Sequence, residues 1–336
     1  MKENIINYIP LKCYRYLRWR RSVNQAFGYN RENFSEEYAK ICLSAAKAER
    51  KKHPTEQILA AYAEKDAYII RYLENLCGDV IEMYKNGKNP QVNLDSPKRI
   101  WVFWWTGEET APNIVKACIK SIRRNANGHE VVMLDQHNYM EYVSLPQYVL
   151  EKHSSGQIGH AHFSDIVRLS LLSTYGGVWI DATVFISQVI PDEVFAADFY
   201  TIKTFTPNAS YYSKSRWCGY FLAGSNEFML FAFARDFLLS YWLHSDRVID
   251  YLLMDYVFGI AYVQFPEVRE TVDSLPDNNF KRGQLMSAIN EPYSKELFGM
   301  LETQETFASK LSWRYGNPKS QTTDGALSNY GYLLSL

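Results

Sequence analysis

The sequence predicts an α/β fold: a parallel sheet covered by helices, preceded by an N-terminal helical region. Three observations predict it. Ile100 to Trp105 is an unbroken apolar run of strand length; Pro112 then opens a helix pattern through Ile114, Val115, Cys118, Ile119 and Ile122; and His129 to Leu134 is a second strand after Gly128. Strand, helix and strand within about 35 residues form a βαβ unit, whose strands run parallel through a right-handed crossover. At 336 residues and 47% hydrophobic, the chain can bury a large core, as two domains or as one α/β domain with an appendage.

The elements follow in order. Between Asn4 and Arg31 there is no acidic residue, while Lys12, Arg15, Arg18, Arg20 and Arg21 alternate with Tyr14, Tyr16, Leu17 and Trp19. Cations for anionic headgroups and rings for the headgroup level make this either a membrane-surface contact or a solvated helix face packed on the protein. Residues 35–86 read as helices, with Ser35 as N-cap, Pro54 in a first turn and Asn86-Gly87 as the stop. The pattern changes at Ser96-Pro97, which divides the chain into a helical region, 1–95, and an α/β domain, 96–336.

Composition excludes several classes. Charged residues make up 22% and the net charge is −1, which excludes disorder and a uniformly basic nucleic-acid binder. The five cysteines are scattered, with no CxxC pair, as in a reducing compartment. Neither a secretory signal nor an apolar run of about 18 residues is present, so the expected location is cytoplasmic, or peripheral on the inner face of the cell membrane. A phosphate-binding GxxxxGK[ST] loop and a GxSxG elbow are missing. His160 and His162 lack further ligands at metal spacing and read as structural.

The informative segment is SDIVRLSLLSTYGGVWIDATV, residues 164–184. Ser164 caps a helix, Gly176 closes it in the left-handed conformation, and Gly177 permits a tight entry into a strand that ends at Asp181. Asp165 and Arg168, three apart, share one helical face near its N-terminus. Ligands of open parallel sheets bind beyond the carboxyl ends of the strands. A carboxylate there can hold a cation or a sugar hydroxyl, and an arginine can bind a diphosphate. On spacing alone, an intrahelical ion pair and a turn aspartate account for these residues equally well.

This segment, with the strand KRIWVFWWTG before it, resembles the capsular polysaccharide synthesis family of glycosyltransferases, itself similar to enzymes with a DxD sugar motif such as the large clostridial glucosylating toxins. The resemblance is strong over residues 96–190 and weaker through 217–221, 250–256 and 309–313. It implies a GT-A fold, a Rossmann-like nucleotide-sugar-binding sandwich. Trp104 or Trp105 would lie on the base, Asp165 and Arg168 on the ribose or donor sugar, with Gly177 in the donor site. Asp181 would meet a divalent cation, Mn or Mg, and the diphosphate, as the catalytic and metal residue. Asp255 would serve on the acceptor side, its alternative being an ordinary helix aspartate. The second carboxylate of the motif is replaced, since the sequence reads Asp181-Ala182-Thr183, and where relatives often have a late histidine there is Ser309-Lys310, whose ammonium can neutralise phosphate directly.

The expected activity is hexose transfer from a nucleotide-sugar donor, a UDP-hexose, with retention, to a lipid-linked oligosaccharide acceptor in bacterial capsule synthesis. Nucleic acid is not an expected partner. The rivals are a sugar-phosphate transferase and a non-catalytic module that binds the sugar nucleotide.

Overall fold

The structure is a computed structural model that describes residues 11–50, 55–88, 98–303, 306–314 and 318–336, the side chains of 11–17 excepted. Pro54, the boundary at Ser96-Pro97, and the side chains of Lys12, Tyr14, Arg15, Tyr16 and Leu17 lie outside the described residues.

Three helices come first: α1 (Leu11–Asn33), α2 (Glu36–Arg50) and α3 (Thr55–Lys85). Ser35 caps α2 as its sequence indicates, with Oγ accepting from the Tyr38 N–H at 3.0 Å. α3 bends at Cys77 and ends ahead of Gly87, whose φ is +89°. The βαβ unit is β1 (Ile100–Phe103), α4 (Asn113–Arg124) and β2 (Val131–Leu134), with β1 and β2 parallel and Ile100 opposite Val131. After α5 (Gln147–Ser154) come α6 (His160–Tyr175) and β3 (Gly177–Ile180), which lies parallel to β1 on its other side.

The rest of the chain adds β4 (Val184–Ile186), α7 (Asp192–Ala196), β5 (Phe199–Thr201), β6 (Phe221–Gly224), α8 (Met229–His244), α9 (Leu253–Gln264) and α10 (Pro266–Ser274). It closes with α11 (Gln284–Ser287), α12 (Lys295–Leu301), β7 (Ala308–Lys310) and α13 (Asn329–Ser335). The main sheet runs β2-β1-β3-β6-β5, and β4 pairs with β7 apart from it. The α/β class is therefore observed, but the sheet is mixed rather than parallel: β6 is antiparallel to both β3 and β5. Mixed sheets of this kind are common in α/β folds.

Alternate strand residues enter two cores. Ile100, Val102, Val178, Ile180, Phe221 and Ala223 pack toward α4 and α12, whereas Trp101, Phe103, Trp179 and Leu222 pack toward α3, α6, α8 and α9. The N-terminal helices join the second core, where Tyr38 Oη donates to the Ile249 carbonyl at 2.8 Å and Tyr256 Oη to Asp66 at 2.7 Å. Among the described residues no helix is long and apolar enough to cross a membrane.

The turn from α6 into β3 differs in detail from its sequence reading. α6 starts one turn earlier, after Gly159, and Ser164 lies inside it, because the extended backbone of Gly159 offers its carbonyl to the Phe163 N–H at 3.0 Å without a side-chain cap. Gly176 has φ +65° but ψ −151°, a region essentially confined to glycine rather than the left-handed helical one. At Gly177, φ is +91° and a Cβ would stand 2.4 Å from the Arg99 carbonyl oxygen. Gly177→Ala is therefore expected to destabilise the protein by at least about 2 kcal/mol, from left-handed strain plus displacement of β1. Urea unfolding checks this, and an unchanged midpoint would contradict it.

Candidate active site

Asp181 follows the last residue of β3. Its N–H bonds the Tyr220 carbonyl at 2.9 Å, extending the β3–β6 ladder by one residue. Trp179, two residues earlier and so on the same strand face, donates its indole N–H to Asp181 Oδ1 at 2.9 Å. Arg168 Nη2 reaches that oxygen at 3.1 Å, and Lys310 Nζ reaches Oδ2 at 2.8 Å. Burial pushes the Asp181 carboxyl up, but the Lys310 and Arg168 charges outweigh it and hold the group below the usual carboxylate range.

Arg168 is the hub. Buried within α6, it meets Asp165 Oδ1 at 3.1 Å as the three-residue spacing allows, donates from Nη1 to Met254 Sδ at 3.7 Å, and lies over the Trp179 ring at 4.8 Å. Gly219 makes room for it: a Cβ there would be 2.7 Å from Nη1 and 2.5 Å from Met254 Cε. Both obstacles are ends of side chains, but Nη1 is held by Asp165 and Met254, so Gly219→Ala should displace the guanidinium and lower the melting temperature moderately while the protein still folds. The expected cost is about tenfold in turnover, since small misplacements at a reacting site are expensive. A steady-state assay paired with a thermal melt measures both.

Two more carboxyls adjoin the hub. Burial pushes Asp165 up to about 6 against the pull of Arg168, with the Asp181 charge adding to the rise. Asp255, in the first turn of α9, accepts the Trp217 indole N–H at 3.1 Å, and burial followed by the Asp165 charge pushes it up to about 7. Asp250 is not on that helix: it precedes α9 and pairs with Lys65 at 2.6 Å. His162 Nδ1 is 3.8 Å from Asp165, and burial holds this histidine down to about 4, in keeping with a neutral structural ring. The His162 ring also touches Tyr251, centroids 5.9 Å apart. Tyr251 lines a cavity of about 350 Å³ with Tyr29, Tyr62, Lys65 and Asp250.

Lys310 arrives on β7, where it pairs opposite Val184, and its Nζ also donates to Thr183 Oγ1 at 2.8 Å. The Tyr220 ring lies beneath it at 5.0 Å. The two adjacent tryptophans follow the last residue of β1 and diverge there, Trp105 lying in the turn that the Gly107 N–H closes on the Trp104 carbonyl at 2.9 Å. Trp104 meets Trp313, just beyond β7, at 5.8 Å, whereas Trp105 packs among His153, His160, Phe163 and Tyr139. Gly177 is not brought to the cluster. It sits at the amino end of β3, the opposite end from Asp181, and its role there is the close contact with Arg99. Trp179, Trp217, Gly219 and Tyr220 were not singled out for any role from sequence; only Trp179 had a local signal, its two-residue spacing from Asp181.

The donor set does not fit a divalent cation. Hard cations want several free oxygens. Here both Asp181 oxygens already accept from Arg168, Trp179 and Lys310, the Thr183 hydroxyl faces the same ammonium, and of the adjoining carboxyls Asp165 is paired with Arg168 and Asp255 accepts the Trp217 indole N–H. Among the described residues no group of three or more His, Cys, Asp or Glu side chains is placed to hold a metal.

In open α/β sheets ligands bind in the crevice beyond the carboxyl ends of the strands, and the cluster around Asp181 stands at such an end of the central strand β3. Residues 49–330 match the family described as capsular polysaccharide synthesis protein, and the chain belongs to that family. It is also similar to two fungal proteins. O-glycosyltransferase braB of Annulohypoxylon truncatum is 31% identical over 108 residues, 30% of this chain and 26% of that protein. O-glycosyltransferase PaGT of Phomopsis amygdali is 34% identical over 107 residues, 29% of this chain and 26% of that protein. The matched stretch thus spans about a quarter of each relative.

Proposed function

We propose that the protein is a hexosyltransferase that takes a nucleotide-sugar, a UDP-hexose, and passes the sugar with retention to a hydroxyl of a lipid-linked oligosaccharide in bacterial capsule synthesis. Family membership and the two O-glycosyltransferase relatives support the class. The observation that carries the reading is the Asp181 carboxylate locked between Arg168 and Lys310 at the carboxyl end of β3. That constellation offers fixed charge to a diphosphate and hydrogen bonds to sugar hydroxyls, with Asp181 and Lys310 each partly open to solvent.

In this reading the bond from the anomeric carbon to the diphosphate breaks, its electron pair leaving on the phosphate oxygen, and the acceptor oxygen forms the new bond. The protein stabilises the charge growing on the leaving group and aligns the partners. Arg168 and Asp165 hold donor hydroxyls, Trp104 with Trp313 offers a face to the base, and Asp255 stands on the acceptor side. The tyrosine-lined cavity beside His162 gives sugar rings of the acceptor an aromatic and charged wall. The cationic N-terminal segment, Arg18, Arg20 and Arg21 included, would bring the enzyme to the membrane surface that carries such an acceptor.

The test is a thermal-shift and turnover panel with UDP-glucose, UDP-galactose, their N-acetyl forms and GDP-mannose. Stabilisation by one donor with slow release of its nucleotide is expected. No shift and no release with any of them would reject the reading.

A further inference from the structure

The Lys310 ammonium bridges the side chains of Asp181 and Thr183, the two positions that a paired-carboxylate motif would use. It is 2.8 Å from Asp181 Oδ2 and 2.8 Å from Thr183 Oγ1, at the end of a strand fixed by its pairing with β4. An ammonium has three N–H groups and no acceptor. Two of the three are spent on Asp181 and Thr183, and the side chain remains about one-third exposed, so one N–H is left for a ligand. A divalent cation brought to the same oxygens would meet a positive charge at hydrogen-bond distance and oxygens already engaged. A phosphate oxygen would meet the reverse: a partly exposed positive charge with a free donor, backed by the charge of the buried Arg168 guanidinium on the other side of Asp181.

We infer that Lys310 is a built-in cation that binds the diphosphate of the donor and of the departing nucleotide, so that nucleotide binding and sugar transfer proceed without a divalent metal. The inference rests on the proposed transferase function and goes further by assigning the charge on the leaving group to a residue. As the anomeric carbon–oxygen bond breaks, the electron pair stays on the β-phosphate oxygen, and Lys310 neutralises it while keeping its own protons. The acceptor hydroxyl's oxygen forms the new bond, and its proton leaves to that phosphate oxygen. Asp181 and Thr183 are then positioning residues for the ammonium. Arginine, with its planar fork, would keep the charge but misplace it, whereas methionine would keep the length without the charge.

The experiment is calorimetric titration of UDP and of GDP into the protein in EDTA and again in Mn²⁺, together with titration of Mn²⁺ alone and after saturation with UDP. One nucleotide is expected to bind with an affinity that changes less than threefold between EDTA and Mn²⁺, with Mn²⁺ alone giving no stoichiometric binding. Lys310→Met should weaken it more than tenfold in both buffers, and Lys310→Arg should recover part of the loss. A thermal melt confirms that each variant is folded, and if Lys310→Met is not, Lys310→Arg and the wild-type metal comparison decide alone. A tenfold or greater loss in EDTA that Mn²⁺ restores overturns the inference while leaving the transferase reading intact. So does an unchanged affinity in folded Lys310→Met. Failure of both nucleotides to bind under any condition removes the transferase reading and this inference together.

Discussion

Asp181→Asn is expected to cut sugar transfer by about 10²–10³-fold while the protein stays folded. The substitution keeps an oxygen in reach of Trp179 and Arg168 but removes the negative charge that both Arg168 and Lys310 share. Without it the two cations repel across the site, and the ammonium loses the partner that aims it. Asp181→Ala goes further. It leaves the buried Arg168 with Asp165 as its remaining carboxylate partner, and breaking one side of such a network costs about 2–3 kcal/mol once the partial exposure of Asp181 is allowed for. The two variants therefore separate charge from structure: both should lose transfer, and Ala should also lose stability. Retention of transfer in a well-folded Asp181→Asn would place the chemistry elsewhere in the molecule.

Local signals in the sequence were strong where one residue type has one physical use. The glycine pair at 176–177 marks a helix-to-strand turn because side chains are barred there, and the apolar run from Ile100 marks a strand buried on both faces. From those two, the position of Asp181 beyond a strand end follows by counting, and Arg168 follows from Asp165 by helical spacing. Trp104 and Trp105 read as adjacent strand residues and so as pointing apart, but β1 ends at Phe103 and their divergence comes with the turn that follows. Contacts distant in sequence had no such signal. Trp217 and Asp255 are 38 residues apart, and Lys310 and Asp181 are 129 apart, so their meeting depends on how β6, β7 and α9 pack. The resemblance pointed to segments containing these residues but not to their pairings. The start of α6 was misplaced for a different reason: Ser164 has the side chain of a cap, but Gly159 supplies the cap through its backbone carbonyl alone, which side-chain identity does not reveal. The antiparallel half of the sheet is built from runs of three and four residues, too short for a period to be read.

Raising the pH from about 5 to 8 is expected to lower the melting temperature and, over the upper part of that range, to raise the transfer rate. Asp165 and Asp255 are pushed up to about 6 and about 7, from an ordinary value of 3.8. Between 3.8 and those values the folded protein binds more protons than the unfolded chain, so its stability falls as pH rises through the window and levels off above it. Asp181 acts with the opposite sign, because its carboxyl is held low; its contribution is lost only as pH drops below the ordinary carboxylate range. The two trends leave the stability maximum on the acid side of neutral. Catalysis runs the other way, because an ionised Asp255 can accept a hydrogen bond from the incoming hydroxyl and hold its oxygen for attack, the proton itself leaving to the phosphate oxygen. kcat/KM then climbs through an apparent pKa near 7 as the Asp255 carboxyl ionises. Asp255→Asn keeps an oxygen for the Trp217 indole while removing the titration. It should flatten the fall in melting temperature above pH 6, lose about 10²-fold in rate or more, and erase the rising limb of the profile. A variant that stays active with the limb intact would show that Asp255 is only a buried helix aspartate, and a melting profile steeper than that of the wild type would show that its carboxyl is not held above the ordinary range in the folded protein.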